Sequence, residues 1–205
     1  MKLIDVWTNL QSELGFFNKR NFDSVPAIPG VYAWFYPLQI CSYDPEKFIE
    51  DISNVFNYDS DVEGIAEKDM SIRMSWRDII MKVALRDRDL SWESFREEWE
   101  HACQDKDSFS ALRRVFYKSS ILMPPLYVGK TDNLFRRCHE HLCSSGFSNR
   151  FTAHAKQMNF QAASKVSDLL LICVRTRSEN DFSGDFEGLI EEYLKHLTKP
   201  VYSKR

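Results

Sequence analysis

The spacing of apolar and polar positions divides the chain into an opening helix, three separated strands and a long helical middle. Leu3, Ile4, Val6, Trp7, Leu10 and Leu14 recur at near-helical intervals and predict an amphipathic helix within residues 1 to 20. Pro26 and Pro29-Gly30 break the chain, and Val31-Tyr32-Ala33-Trp34-Phe35-Tyr36 is a run of β-formers closed by Pro37. As a strand, this run puts Tyr32, Trp34 and Tyr36 on one face. Between Pro37 and Met123 the pattern predicts helices over about 45–56, 75–86, 91–103 and 107–118, with Trp92, Phe95, Trp99 and Ala102 as the clearest apolar stripe. Pro124-Pro125 announces a second strand at 126–128, ended by Gly129. Thr131, Asp132 and Asn133 are capping residues for a helix over 134–142. The Ser144-Ser145-Gly146 turn leads to a helix near 149–158, a third strand over 168–176 and a closing helix over 186–197, stopped before Pro200.

Composition sets bounds on this picture. A chain of 205 residues, 43% hydrophobic and 28% charged, has the makeup of a folded protein with one sizeable core and room for an extra lobe. No apolar run approaches the roughly 20 residues that span a bilayer, so no membrane association is expected. The opening Met1-Lys2-Leu3-Ile4-Asp5 places an acid where a signal peptide would be apolar, and the expected location is cytoplasmic. Five cysteines, an odd number without a Cys-x-x-Cys pair, fit a reducing compartment, and most are expected to be buried, inert thiols.

Charge is distributed unevenly. Residues 40–110 carry 9 Lys and Arg against 18 Asp and Glu, whereas residues 111–205 carry 15 against 9, and residues 1–39 balance at 3 against 3. A basic carboxy-terminal half suits a polyanion, and the acidic middle repels one.

The candidate chemistry lies outside that middle. Gly30-Val31-Tyr32 and Tyr127-Val128-Gly129 sit on two short strands; Arg137 follows Tyr127 by ten residues, and His141 stands one helical turn further on. Glu191 lies on the closing helix, nine residues before Pro200. In order and spacing these features resemble the GIY-YIG nuclease superfamily. Gly30-Val31-Tyr32 resembles the first family motif and Tyr127-Val128-Gly129-Lys130-Thr131 the second. Asn133-Leu134 with Arg137 and His141 resembles the helix after it, and Glu191 the metal-binding glutamate. The family's terminal asparagine falls at Ser203, a departure. The resemblance covers residues 24–40 and 120–205.

The resemblance implies an α+β fold, a small three-stranded antiparallel sheet flanked by helices. A mostly helical, acidic insertion over 40–118 would separate residues 1–39 from the remainder of the core at 119–205. It implies a DNA endonuclease of the restriction, phage-defence or repair kind, dependent on Mg²⁺ or Mn²⁺. Its catalytic set would be Tyr32, Tyr127, Lys130, Arg137, His141 and Glu191, with Glu191 as the metal ligand. Lys130, Arg136, Arg150, His154 and Lys156 are the expected DNA contacts. The insertion is the expected site of a protein partner or of self-association.

The residue types suit the reaction in their own right. Hydrolysis of a phosphodiester needs a water relieved of its proton, a cation against the phosphoryl oxygens and help for the leaving oxygen. Tyr32 is the first candidate for general base or relay, with Tyr127 the alternative; a phenol near pKa 10 needs nearby cations to favour the phenolate. Arg137 offers a planar fork to phosphate. Glu191 can supply one hard oxygen to Mg²⁺, and Glu187 one turn earlier is a candidate outer acid. Arg150 and His154 repeat the spacing of Arg137 and His141 and form a rival pair. The run Cys138-His139-Glu140-His141-Leu142-Cys143 invites a zinc site, but helical geometry does not converge its ligands. The competing reading is a DNA-binding or protein-interaction module on the same fold without turnover.

Overall fold

The computed structural model describes residues 14–56, 66–74, 77–85, 96–176 and 186–203. Its centre is a four-stranded antiparallel sheet in the order β1-β6-β2-β5. The strands are β1 (Leu14–Phe17), β2 (Gly30–Phe35), β5 (Tyr127–Thr131) and β6 (Leu170–Arg175). Tyr32 stands opposite Gly129 on one side and Cys173 on the other, and Trp34 opposite Tyr127 and Leu171. The period of two therefore gathers Tyr32, Trp34, Leu171 and Cys173 into one buried cluster, which Tyr36 joins just beyond β2.

The helices α4 (Leu134–Cys143) and α5 (Gly146–Gln157) cover that face, contributing Leu134, Cys138, Phe147, Phe151 and Ala155 to the core. Each starts on a side-chain cap: Asn133 accepts from the Arg136 amide and Ser145 from the Ser148 amide. The helix α6 (Phe186–Thr198) packs against β5 and β2 from the other side. Lys199, at φ 44°, turns the chain out of α6, and the tail returns along the free edge of β5. There the Tyr202 amide donates to the Leu126 carbonyl at 2.8 Å, and the Val128 amide donates to Ser203 Oγ at 3.1 Å.

Two expectations change. Residues 14–17, placed in the opening helix by the spacing of Leu10 and Leu14, form β1 and extend the sheet from three strands to four, pairing with β6 from Leu14↔Val174 to Phe17↔Leu171. Gly15 and the two phenylalanines after it are weak helix formers, and the β6 edge offers them a ladder. Residues 1–13 of that helix lie outside the described residues.

The helix expected over 75–86 is instead a strand, β4 (Arg77–Leu85), paired with β3 (Ala66–Met74) in a separate ribbon. Ile79, Met81, Val83 and Leu85 also alternate with a period of two, and the register sets Ile79 opposite Ile72 and Met81 opposite Met70. The insertion thus mixes this ribbon with α1 (Pro45–Phe56), α2 (Arg96–Gln104) and α3 (Lys106–Ser119). Residues 91–95 of the expected 91–103 helix lie outside the described residues.

Ile40, Trp99 and Phe109 form a second small core with Phe48, Leu112 and Phe116. The acid Asp51 ties α1 to the main core, accepting from the Tyr36 hydroxyl and the Gln161 amide, each at 2.7 Å. No helix among the described residues is long and apolar enough to cross a membrane. All five cysteines are free, and only Cys138 and Cys173 are buried, fewer than expected.

Candidate functional site

A cavity of about 540 Å³ opens where α4, α5, the β5 edge and the carboxy-terminal tail meet. Tyr127, Arg137, His141, Arg150, Lys195 and Ser203 line it together with Phe147 and Glu140. Three cationic side chains thus face one acid, and that acid, Glu140, is already paired with Arg137 at 2.7 Å and Arg136 at 2.9 Å. The lining suits an anion.

Behind the wall stands Tyr32, only 1% exposed. Its hydroxyl lies 2.7 Å from His141 Nε2, and His141 Nδ1 lies 2.8 Å from Ser145 Oγ. The Arg137 guanidinium stands near enough to the Tyr32 hydroxyl to favour its phenolate in part. Glycine at 129 makes this possible: a Cβ there would sit 2.5 Å from Tyr32 Oη and 2.9 Å from the Tyr127 ring. Gly30 is equally constrained, since a Cβ would meet the Val174 carbonyl oxygen at 2.5 Å and the Leu134 side chain at 2.7 Å.

Burial decides the protonation of this network. It pushes the Tyr32 phenol well above its ordinary value; Tyr127 adds to the shift, and Arg137 only partly opposes it. Burial thus favours the protonated phenol, and the cations that a phenolate requires are represented at Tyr32 by Arg137. Burial and then Arg137 pull His141 down to about 4, so its ring is neutral at pH 7. Hydrogen bonding to Glu140 is the largest influence on Arg137 and holds it firmly protonated.

The other candidates are placed as follows. Glu191, with its side chain 14% exposed, does not line the cavity; its Oε1 pairs at 2.9 Å with Lys195 Nζ, which belongs to the lining. Lys130 is exposed on the sheet face opposite Tyr32 and is not part of the lining. Arg136 is exposed and engaged by Asp132 and Glu140. Arg150 is anchored by the Tyr202 carbonyl at 2.6 Å, and His154 is buried with Nδ1 at 2.5 Å from the Tyr202 hydroxyl. The rival pair therefore divides: Arg150 reaches the cavity, and His154 secures the tail. Lys156 is exposed on α5. Glu187 is buried and accepts from Thr176 Oγ1 at 2.6 Å.

Ser145 and Lys195 were missed by sequence reasoning. Each follows a recognised residue, His141 or Glu191, by four positions on one helical face or at its end, and that interval was the available signal. Ser203, at the position where the resemblance would place an asparagine, holds the tail to β5.

Among the described residues, no group of three or more His, Cys, Asp or Glu is arranged to hold a metal ion. Glu191, the carboxylate expected to hold a divalent cation, is paired with Lys195 at 2.9 Å. Comparison with protein-family models, with curated proteins and with solved structures gives no match to this chain.

Proposed function

We propose that the chain is a metal-dependent DNA endonuclease of the GIY-YIG kind, hydrolysing phosphodiester bonds in restriction, phage defence or DNA repair. One observation carries the reading: the buried Tyr32–His141 pair at 2.7 Å stands directly behind Arg137 at a cavity rich in cations. Buried tyrosine and neutral histidine, joined to an arginine facing open space, match the demands of proton removal beside a phosphate.

The residues divide the work. Arg137 turns its fork to the phosphate, and Tyr32 offers an oxygen lone pair to the attacking water beside it. The attacking water gives its proton to this oxygen while the phenol passes its own to His141 Nε2. That relay needs the tautomer in which His141 Nδ1 donates to Ser145 Oγ. Tyr127 and Arg150 border the substrate, Tyr127 held by stacking on Phe147 with ring centroids 4.8 Å apart. Glu191 would hold Mg²⁺ or Mn²⁺, which supplies Lewis-acid charge for the phosphoryl and leaving oxygens when bound.

A second reading, a catalytically silent DNA-binding or protein-interaction module, is favoured by the Lys195 ammonium on Glu191 and by Ser203. Purified protein with Mg²⁺ or Mn²⁺ distinguishes the two on linear, nicked, branched and modified DNA. The endonuclease reading expects scission of at least one substrate, lowered about 100-fold or more in Arg137→Ala and Glu191→Ala with the fold retained. Binding without scission across the panel would establish the silent module instead.

A further inference from the structure

Lys195 is the unassigned cation of this site. It lies on α6, which packs against β5, and among the described residues it is the one α6 residue in the cavity lining. There it shares the lining with Arg137 and Arg150 while its ammonium rests 2.9 Å from Glu191. The carboxylate is the more enclosed partner, with Glu191 14% exposed and Lys195 24%. Glu192 also approaches the ammonium, at 3.5 Å, but is 77% exposed and well solvated.

Two demands meet at this pair. A hard divalent cation needs the Glu191 oxygen that the ammonium occupies, and an ammonium displaced from Glu191 has the anion-binding cavity beside it. A lysine suits such an exchange, being a point charge on a flexible stem, where a bidentate arginine would be fixed to the carboxylate.

We infer that Lys195 is a substrate-binding residue whose ammonium exchanges between Glu191 and the DNA phosphate, so that it competes with the divalent cation for Glu191 and passes to the phosphate when that cation binds. The inference rests on the endonuclease reading for its substrate, and it is tested by binding alone. Mn²⁺ binding is followed by electron paramagnetic resonance, and binding of a short duplex is followed in saturating Ca²⁺, so that Glu191 is occupied by a divalent cation, both with the full chain. Lys195→Met should bind Mn²⁺ roughly five- to ten-fold more tightly, because a competing partner of Glu191 and a like charge are both removed. It should bind the duplex roughly five-fold more weakly and with a shallower salt dependence. Lys195→Arg, its guanidinium fixed to Glu191, should leave both Mn²⁺ and duplex binding weak, and Glu191→Gln should lose the tight Mn²⁺ site. Lys195→Gln serves the same comparison if the methionine variant unfolds.

Unchanged or weaker Mn²⁺ binding by Lys195→Met, or unchanged duplex affinity, would overturn the exchange. Opposite shifts in the two affinities without scission by the parent protein would uphold the exchange and reject the nuclease. Scission by the parent with neither affinity altered would do the reverse.

Discussion

At the scale of single residues, the site depends on what is absent as much as on what is present. Gly129 leaves room for the Tyr32 hydroxyl, so Gly129→Ala must push the phenol off His141. The expected loss is about 1–3 kcal/mol in denaturant unfolding, from overpacking, together with most of the cleavage activity. His141 makes a separate prediction. Its folded pKa of about 4 lies below the ordinary 6.5, so between those values the unfolded chain takes up a proton that the folded protein refuses. Its contribution is intact above about pH 6.5 and is lost as pH falls towards 4, an expected decline of about 3 kcal/mol. Unfolding of His141→Asn followed over the same range should show a flatter decline, with the smaller effect of His154, lowered by burial, remaining.

Sequence reached the site residues but not their partners. Tyr32, Tyr127, Arg137 and His141 stood out because glycine-flanked strands and a capped helix fixed their spacing. The protonation of Tyr32 did not, because it depends on burial by α4 and α5, which no local pattern measures. Lys195 was not singled out for the same reason: only the packing of α6 against β5 brings it to the cavity.

Among the elements, β2, β5, β6 and the helices packed on them were legible because their signals were redundant: prolines or glycines at the boundaries, caps at helix starts, one clear period within. The ribbon β3–β4 was not, since Ile79, Ile80, Met81 and Val83 satisfy a helical and an alternating pattern alike, and the register partners that decide between them lie on the other strand. At β1 the pairing edge that decides between helix and strand is supplied by residues 171–174, far along the chain. The docking of α1 combines the apolar contacts of Val55 and Phe56 with one buried acid. Asp51→Ala would leave the Tyr36 hydroxyl and the Gln161 amide without their acceptor, and about 2–3 kcal/mol of stability should be lost in denaturant titration. A variant as stable as the parent would show that α1 is held by its apolar contacts alone.

For the whole molecule, the acidic middle and the basic carboxy-terminal half acquire a physical division: the small core of Ile40, Trp99 and Phe109 belongs to the former and the cation-lined cavity to the latter. In the proposed reaction a phosphodiester seated in that cavity loses its bond to a water activated by Tyr32. The rate of strand scission by the parent protein and by Tyr32→Phe, measured beside their DNA affinities, tests this most directly. A loss of about 100-fold or more in rate with affinity unchanged is the predicted result; equal rates for the two proteins would contradict it.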